Sequence, residues 1–358
     1  MKRTLSTVFL ASKRLGIGIA CAVVVVACAG ARSSSSQSDP PEPNFQLGDS
    51  VAMPMRAVNA GHESSVAFYL SEKDLLPESV AYDPRDHSFY VGSTRKGKIV
   101  KADASGNARD FIAPRQDGIW MVTGIKIHPT RRVLWACSWN DLNLEGYKKE
   151  EGHASGVFAF NLDTGKLIRK WVLDTPGEVH AFNDLVVTRG NDAYVTHMAA
   201  DAAIYRITQK DQKLELFAKP EGLKEPNGIA ISPDERTLFV AGLDGIMRID
   251  IASGKATPLQ SGEEPTGAID GLYYFRGSLL AIRENSINRY RLDESNSRVV
   301  MTEVLEMNHP LMHTPTTGVI VDNDFYYVAN GQFDALEADG SLADDKLSEP
   351  AILKITLR

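Results

Sequence analysis

From residue 77 onward, apolar and polar positions alternate in short runs, and apolar spacing of helical period is nearly absent. Six segments share one pattern: PESVAYDPRDHSFYVGS from Pro77, VTGIKIHPTRRVLWACS from Val122, FNDLVVTRGNDAYVTH from Phe182, PNGIAISPDERTLFVAG from Pro226, IDGLYYFRGSLLAIREN from Ile269 and TTGVIVDNDFYYVANG from Thr316. Each reads as a strand, a polar turn and a second strand rich in β-branched and aromatic residues, which is a hairpin. Equivalent positions fall at 78, 123, 183, 227, 270 and 317, separated by 45, 60, 44, 43 and 47 residues. That is the repeat of a four-stranded propeller blade, about 40–45 residues. After most copies two further strands can be read, such as GKIVKAD and NARDFIA. The pattern predicts an all-β chain with a six-bladed β-propeller over residues 64–358, and places one insertion, roughly Trp139 to Ser155, in the long step.

The last hairpin is followed by only one more strand, AILKITLR at 351–358, so one blade is a strand short. SSVAFYL, residues 64–70, has strand composition and precedes the first blade. It is expected to pair as the outer strand of the last blade, closing the ring through its two ends and removing exposed edges.

The first thirty residues are of a different kind. Lys2, Arg3, Lys13 and Arg14 precede the apolar stretch LGIGIACAVVVVACAGA, about fifteen residues where a spanning helix needs about 20. This is a secretory signal, and Val25-Val26-Ala27-Cys28 resembles a bacterial lipobox, with residues 1–27 removed and Cys28 lipidated. Residues 28–63 then form the lipidated cysteine and a tether whose RSSSSQSDPPEP stretch is Ser- and Pro-rich. The expected location is a membrane facing the periplasm or cell surface. Cleavage after Ala29-Gly30-Ala31, giving a soluble secreted protein, is the alternative.

Loss of the signal takes four bases and no acid from 39 basic and 46 acidic residues, leaving 35 against 46, a net charge of −11. With no basic block outside the signal, nucleic acid is excluded as an expected partner; cations and neutral molecules fit better, and a monomer is expected. The cysteines at 21, 28 and 137 form no CxxC pair, and Cys137, in mid-strand, is expected to be core packing.

In a propeller blade the first strand lines the channel, so the residues that open the six first strands meet at one rim. They are Glu78, Thr123, Asn183, Asn227, Asp270 and Thr317. Four of them, Glu78, Asn183, Asn227 and Asp270, supply a carboxylate or carboxamide oxygen where a strand would ordinarily carry an apolar side chain. Asn-Gly and Asp-Gly pairs also occur as plain turn residues, but here they recur at one phase of a channel-lining strand. Two carboxylates and two amides make an oxygen site for one hard divalent cation, with Ca2+ the best match.

With their contexts, Pro77-Glu78, Asn183-Asp184, Asn227-Gly228 and Asp270-Gly271, these residues resemble the gluconolactonase and senescence marker protein family of six-bladed propellers, and more distantly paraoxonases. The resemblance covers residues 64–358. It implies that the glutamate, two asparagines and aspartate bind one divalent metal, usually calcium, and that the activity is hydrolysis of a lactone or related ester. Two positions depart from the family's pattern. Ala181 stands where its sugar-lactone enzymes commonly carry arginine, which argues against a sugar lactone, and Ser79 stands where glycine is usual.

Loops that share the cation's face follow from strand direction. The residues expected to line a substrate pocket are Trp120, Met121, Trp139, Asn140, Phe182, His197, Arg283, Glu284, His313 and Asn330, with His180, three residues from Asn183, as a catalytic candidate; His128 should lie on the opposite face. Asp270, a carboxylate at the metal rather than a neutral amide, is the expected general base for attack on a small neutral lactone or ester, with Glu78 as the competing base, whose counterpart the resemblance places as a ligand. A non-catalytic, calcium-stabilised propeller that binds a ligand or protein is the alternative function.

Overall fold

In the computed structural model of the chain, residues 63–199, 201–262 and 266–358 are described. The predicted signal, Cys28 and all of the tether except Glu63 lie outside them.

The strands run in chain order. β1 (Ser65–Tyr69) is followed by the first blade, β2 (Pro77–Asp83), β3 (Ser88–Ser93), β4 (Lys98–Ala102) and β5 (Ala108–Ile112). The second blade is β6 (Met121–Ile127), β7 (Val133–Trp139), β8 (Ser155–Asn161) and β9 (Leu167–Leu173), and the third is β10 (Phe182–Val187), β11 (Ala193–His197), β12 (Ala203–Ile207) and β13 (Leu214–Ala218). The fourth holds β14 (Ile229–Ile231), β15 (Thr237–Gly242), β16 (Gly245–Asp250) and β17 (Ala256–Pro258); the fifth holds β18 (Ile269–Phe275), β19 (Ser278–Arg283), β20 (Ser286–Leu292) and β21 (Val299–Met307). β22 (Gly318–Val321), β23 (Asp324–Val328) and β24 (Ala351–Thr356) complete the chain. The sheets are six four-stranded meanders, and the sixth has the order β1-β24-β23-β22. The fold is therefore an all-β, six-bladed propeller, as the repeat predicts.

Closure is also as read from the sequence. β1 pairs antiparallel with β24, with Ser65 opposite Lys354 and Tyr69 opposite Ala351. Two further bonds fix this seam: Leu70 N–H donates to the Pro350 carbonyl, and Tyr327 Oη donates to Ser64 Oγ at 2.9 Å. Phe68 and Leu70 from this strand pack with Val80, Phe89, Val91, Val328 and Ile352, so β1 also supplies core between the sixth blade and the first.

Each blade junction has its own apolar cluster. Tyr90, Ile99, Val122, Ile125 and Phe158 fill the junction of the first and second blades, and Trp135, Cys137, Phe182, Leu185 and Val195 that of the second and third. Cys137 is thus core, as expected. Its neighbours Trp135 and Trp171 stack with ring centroids 5.3 Å apart. The predicted insertion is present between Trp139 and Ser155. A second long excursion, between β23 and β24, has no signature in the repeat. Arg95 ties the two together, donating from Nη1 to the carbonyls of Asn143 (3.0 Å) and Gly340 (2.7 Å).

The β1 seam generates a prediction. A variant lacking residues 63–70 leaves β24 as an open edge and removes Phe68 and Leu70 from the junction. It is expected to lose cooperative thermal unfolding and to aggregate; a cooperative transition at the parent temperature, seen by circular dichroism, would show that the seam is dispensable.

Candidate metal centre at the channel mouth

The residues that open the six inner strands share a backbone irregularity as well as a sequence phase. The register between first and second strands breaks between Pro77 and Ser79, Val122 and Ile125, Phe182 and Leu185, and Ile269 and Leu272. In the fourth blade Asn227 N–H donates to the Ala241 carbonyl while Ala241 N–H donates to Gly228, so two residues face one. Thr316 and Thr317 stand in the same relation to Val328 in the sixth blade. A bulge re-aims a side chain out of the pleat. Six bulges at one level turn six side chains toward the axis.

Two threonines at this level bind the ring together. Thr123 Oγ1 donates to the Phe182 carbonyl of the next blade (3.0 Å), and Thr317 Oγ1 donates to the Glu78 carbonyl (2.9 Å), linking the sixth blade to the first. Thr196 Oγ1 does the same for Asn227, at 2.8 Å. The glycine in Asn227-Gly228 is therefore not a turn residue. A Cβ on Gly228 would lie 2.5 Å from the Asp270 carbonyl oxygen, and one on Gly124 would lie 2.7 Å from that of Asn183. Neither glycine has a positive φ; each is there because adjacent inner strands touch. Ser79, which departs from the family pattern, is accommodated by a similar device: a Cβ on Gly92 would be 2.6 Å from Ser79 Oγ.

Glu78 and Asn183 are buried, at 3% and 4% exposure. Glu78 Oε2, Asn183 Oδ1, Asn227 Oδ1 and Asp270 Oδ1 are all buried without a hydrogen-bond partner. Unpartnered buried oxygens are rare in native proteins and costly, and four from four blades converge on one opening. The amide of Asn183 is oriented by its Nδ2, which lies 3.3 Å from Met198 Sδ, leaving the oxygen for the channel. Burial, followed by the charges of Asp270 and Asp184, holds the Glu78 carboxyl well above the usual carboxylate range. Burial likewise pushes Asp270 up to about 7, with a hydrogen bond from Asn227 acting the other way and the charge of Asp184 adding to the rise. A cation seated among these oxygens would remove that penalty. The donors are all hard oxygens, two of them anionic, so the residues fit a divalent cation of the Ca2+ type. Among the described residues no three His, Cys, Asp or Glu side chains cluster as a metal site, so a cation here would need the two asparagine oxygens as well as the two carboxyls.

Asp184, which the sequence reading passed over beside Asn183, belongs to the floor of the same site. Its side chain is fully buried, Oδ1 lies 2.8 Å from Lys126 Nζ, and the same oxygen accepts the Leu185 N–H. Lys126 Nζ also stands 5.5 Å from the Tyr273 ring centroid, across the channel. Tyr273 Oη accepts the Gly318 N–H at 2.6 Å. No short motif announces this group, because its members come from the second, third, fifth and sixth blades.

The expected pocket residues divide. Phe182 is fully buried in the junction of the second and third blades, and Trp120 packs edge-on to Phe158, 6.1 Å between centroids, at the previous junction. Phe182, next to the channel-facing Asn183, is interblade packing rather than pocket lining, since adjacent residues leave a strand on opposite sides; Trp120, just before β6, keeps part of its surface exposed. Met121 and Trp139 pair across β6 and β7 and are buried, at 1% each. Arg283 ends β19 partly exposed, and His313 is exposed on the loop before β22, bridged to Asn330. His128 lies in the turn after β6, at the end away from Thr123, and its Nδ1 accepts the Thr130 and Arg131 N–H groups.

His180 is one of a pair. Its Nδ1 lies 3.3 Å from His197 Nε2 and its Nε2 lies 3.0 Å from Thr175 Oγ1. Burial first, and the neighbouring His180 second, push His197 down to about 4. Both nitrogens of His180 thus have side-chain partners, His197 and Thr175.

A propeller whose inner strands aim buried oxygen donors at one end of its channel defines the class. The chain belongs to the SMP-30/gluconolactonase/LRE-like family, which it matches over residues 76–274, a span that contains Glu78, Asn183, Asn227 and Asp270. Similar solved structures include a gluconolactonase from Xanthomonas campestris, with 15% identity over 81% of this chain and 89% of that one and a TM-score of 0.57. The calcium-binding protein regucalcin from Agrobacterium tumefaciens is 17% identical over 82% of this chain and 97% of its own, with a TM-score of 0.53. The major Malassezia sympodialis allergen Mala s 1 is 16% identical over 82% and 96%, with a TM-score of 0.62. At such identities the likeness establishes the fold. No curated protein sequence matches the chain significantly.

The raised carboxyls predict a pH dependence. Asp270 folds with its acid form favoured, so its contribution to stability is complete below the unfolded pKa of about 4 and is lost as pH rises through about 7. His197 has the opposite sign: its contribution is present above about 6.5 and lost as pH falls through about 4. In chelator, the parent's thermal midpoint should therefore fall relative to that of Asp270→Asn as pH rises from about 4 to about 7, with His197 common to both. Added Ca2+ should raise the parent's midpoint more at neutral than at acid pH. Parallel pH profiles for the two proteins in differential scanning calorimetry would refute the shift at Asp270.

Proposed function

We propose that the protein is a divalent-cation-dependent hydrolase of a small neutral lactone or ester, with Ca2+ as the expected ion. The observation that carries this reading is the set of unpartnered buried oxygens on Glu78, Asn183, Asn227 and Asp270 at one mouth of the channel. Membership of a family that includes gluconolactonases supports it. When bound, the cation would polarise the substrate carbonyl and stabilise the negative charge developing on its oxygen.

The chain's own residues supply the rest. Asn183 and Asn227 cannot take a proton and would hold the ion by their amide oxygens. Asp270, a carboxylate rather than a neutral amide among the four donors, suits a general base. Its carboxylate would take a proton from water as the water oxygen bonds to the carbonyl carbon. The ester C–O bond then breaks, and the proton passes to the departing alkoxide, leaving a hydroxy acid or an acid and an alcohol. Glu78, whose carboxyl is raised by burial and by the charges of Asp270 and Asp184 in the absence of a cation, would act as the anionic ligand once the cation is bound. Ala181 is buried where the family's sugar-lactone enzymes carry arginine, which favours a substrate less polar than a sugar lactone.

A panel of aryl esters and lactones, assayed with and without chelator, tests the reading. Chelator-sensitive turnover supports it, and cation binding without turnover of any member would favour the non-catalytic, calcium-stabilised propeller. Two substitutions should fail differently. Asn227→Ala weakens cation affinity and recovers activity in excess Ca2+, whereas Asp270→Asn keeps an oxygen ligand and loses about 10²–10⁴-fold in kcat that Ca2+ does not restore. Parent-rate hydrolysis by Asp270→Asn with cation bound would remove it from the role of base.

The protein is further proposed to be an exported lipoprotein anchored through Cys28, on the strength of Val25-Val26-Ala27-Cys28 and the Ser-rich tether that follows. Cys28→Ser should move it from the membrane fraction to the soluble one; retention in membranes would overturn the lipobox reading.

A further inference from the structure

The floor of the channel carries an ammonium group that the proposed chemistry does not use. Lys126 reaches from β6 in the second blade to Asp184 in the third, 2.8 Å from its Oδ1, and faces the Tyr273 ring of the fifth. Asp184 has no exposed side-chain surface, while that of Lys126 is 23% exposed. Asp184 Oδ2 is buried and has no hydrogen-bond partner, so Lys126 neutralises a carboxylate whose second oxygen is unspent. Asp184 directly follows Asn183 in β10, and Thr196 Oγ1 accepts the Asp184 N–H at 3.0 Å while donating to the Asn227 carbonyl at 2.8 Å, which seats the ion pair beside two of the four donors. Charges buried in this way interact more strongly than they would in water.

We infer that Lys126 is a built-in counter-cation that, through its ion pair with Asp184, sets the divalent-cation affinity of the channel mouth. The inference rests on the cation reading of Glu78, Asn183, Asn227 and Asp270. With Lys126 in place, three carboxylates and one ammonium give the site a formal charge of −2. Removing the ammonium leaves −3, and removing the Asp184 charge alone leaves −1. A bound divalent ion feels each change with opposite sign. Lys126 is thus a positioning residue in the electrostatic sense, tempering a site that three bare carboxylates would make tighter and slower to exchange.

Isothermal titration with CaCl2 on the full chain, without substrate, reads the effect directly. Lys126→Met should bind Ca2+ about tenfold or more tightly than the parent, Asp184→Asn about tenfold more weakly, and the double variant within about threefold of the parent. An ion pair with only a structural role would weaken binding in both single variants and would not restore it in the double, and that result overturns the inference. If Lys126→Met fails to fold because Asp184 is left buried and unpaired, the comparison moves to the Asp184→Asn background. There the double variant must bind more tightly than Asp184→Asn alone, and equal or weaker binding overturns the inference. Absence of any Ca2+ binding by the folded parent instead overturns the cation reading itself.

Discussion

Three carboxylates, Glu78, Asp184 and Asp270, are held near one another by the inner strands, and one ammonium, Lys126, pairs with Asp184. Taking an ion out of water costs several kcal/mol even after the protein relaxes around it. That cost is tolerable only if charge of the other sign arrives. Lys126 answers for Asp184, while burial raises the carboxyls of Glu78 and Asp270 and so favours their protonated forms in the absence of a compensating charge. Much of the inner architecture can be understood as the means of bringing these groups to one place.

The means is a ring. No single blade could hold the site, because Glu78, Asn183, Asn227 and Asp270 come from four different blades. The bulges turn those side chains inward, the glycines let adjacent backbones touch, and the threonine hydroxyls join blade to blade. Six interblade cores then fix the blades against one another, and the β1 to β24 pairing closes the circle. A donor set placed on strands supported in this way keeps its spacing without a ligand to organise it.

The hairpins were legible because strand periodicity is two and turns have their own chemistry, so each repeat announces itself locally. Glu78, Asn183, Asn227 and Asp270 were legible for a second reason: a polar oxygen at one phase of a strand that should be apolar is conspicuous when it recurs. Phe182, which strand direction alone assigns to the pocket, is fully buried between two blades. Along a strand, adjacent side chains leave on opposite sides, and in a propeller the other side is the next blade. His180 was found, but its partner relation to His197 was not, since the two come from different strands.

By itself the sequence determined the number of blades, the strand that closes them and the phase at which oxygen donors recur. Each of these is written in short-range spacing that a single pass along the chain can read. Only the tertiary structure decided that the donors' oxygens are left without partners, that Gly124 and Gly228 serve contact between blades rather than turns, and that Lys126 sits on Asp184 beneath the mouth. These depend on which strands become neighbours around a closed ring, and on the distances and burial that closure imposes. A charge and its counter-charge 58 residues apart carry no mark of one another until two blades bring them within hydrogen-bond reach.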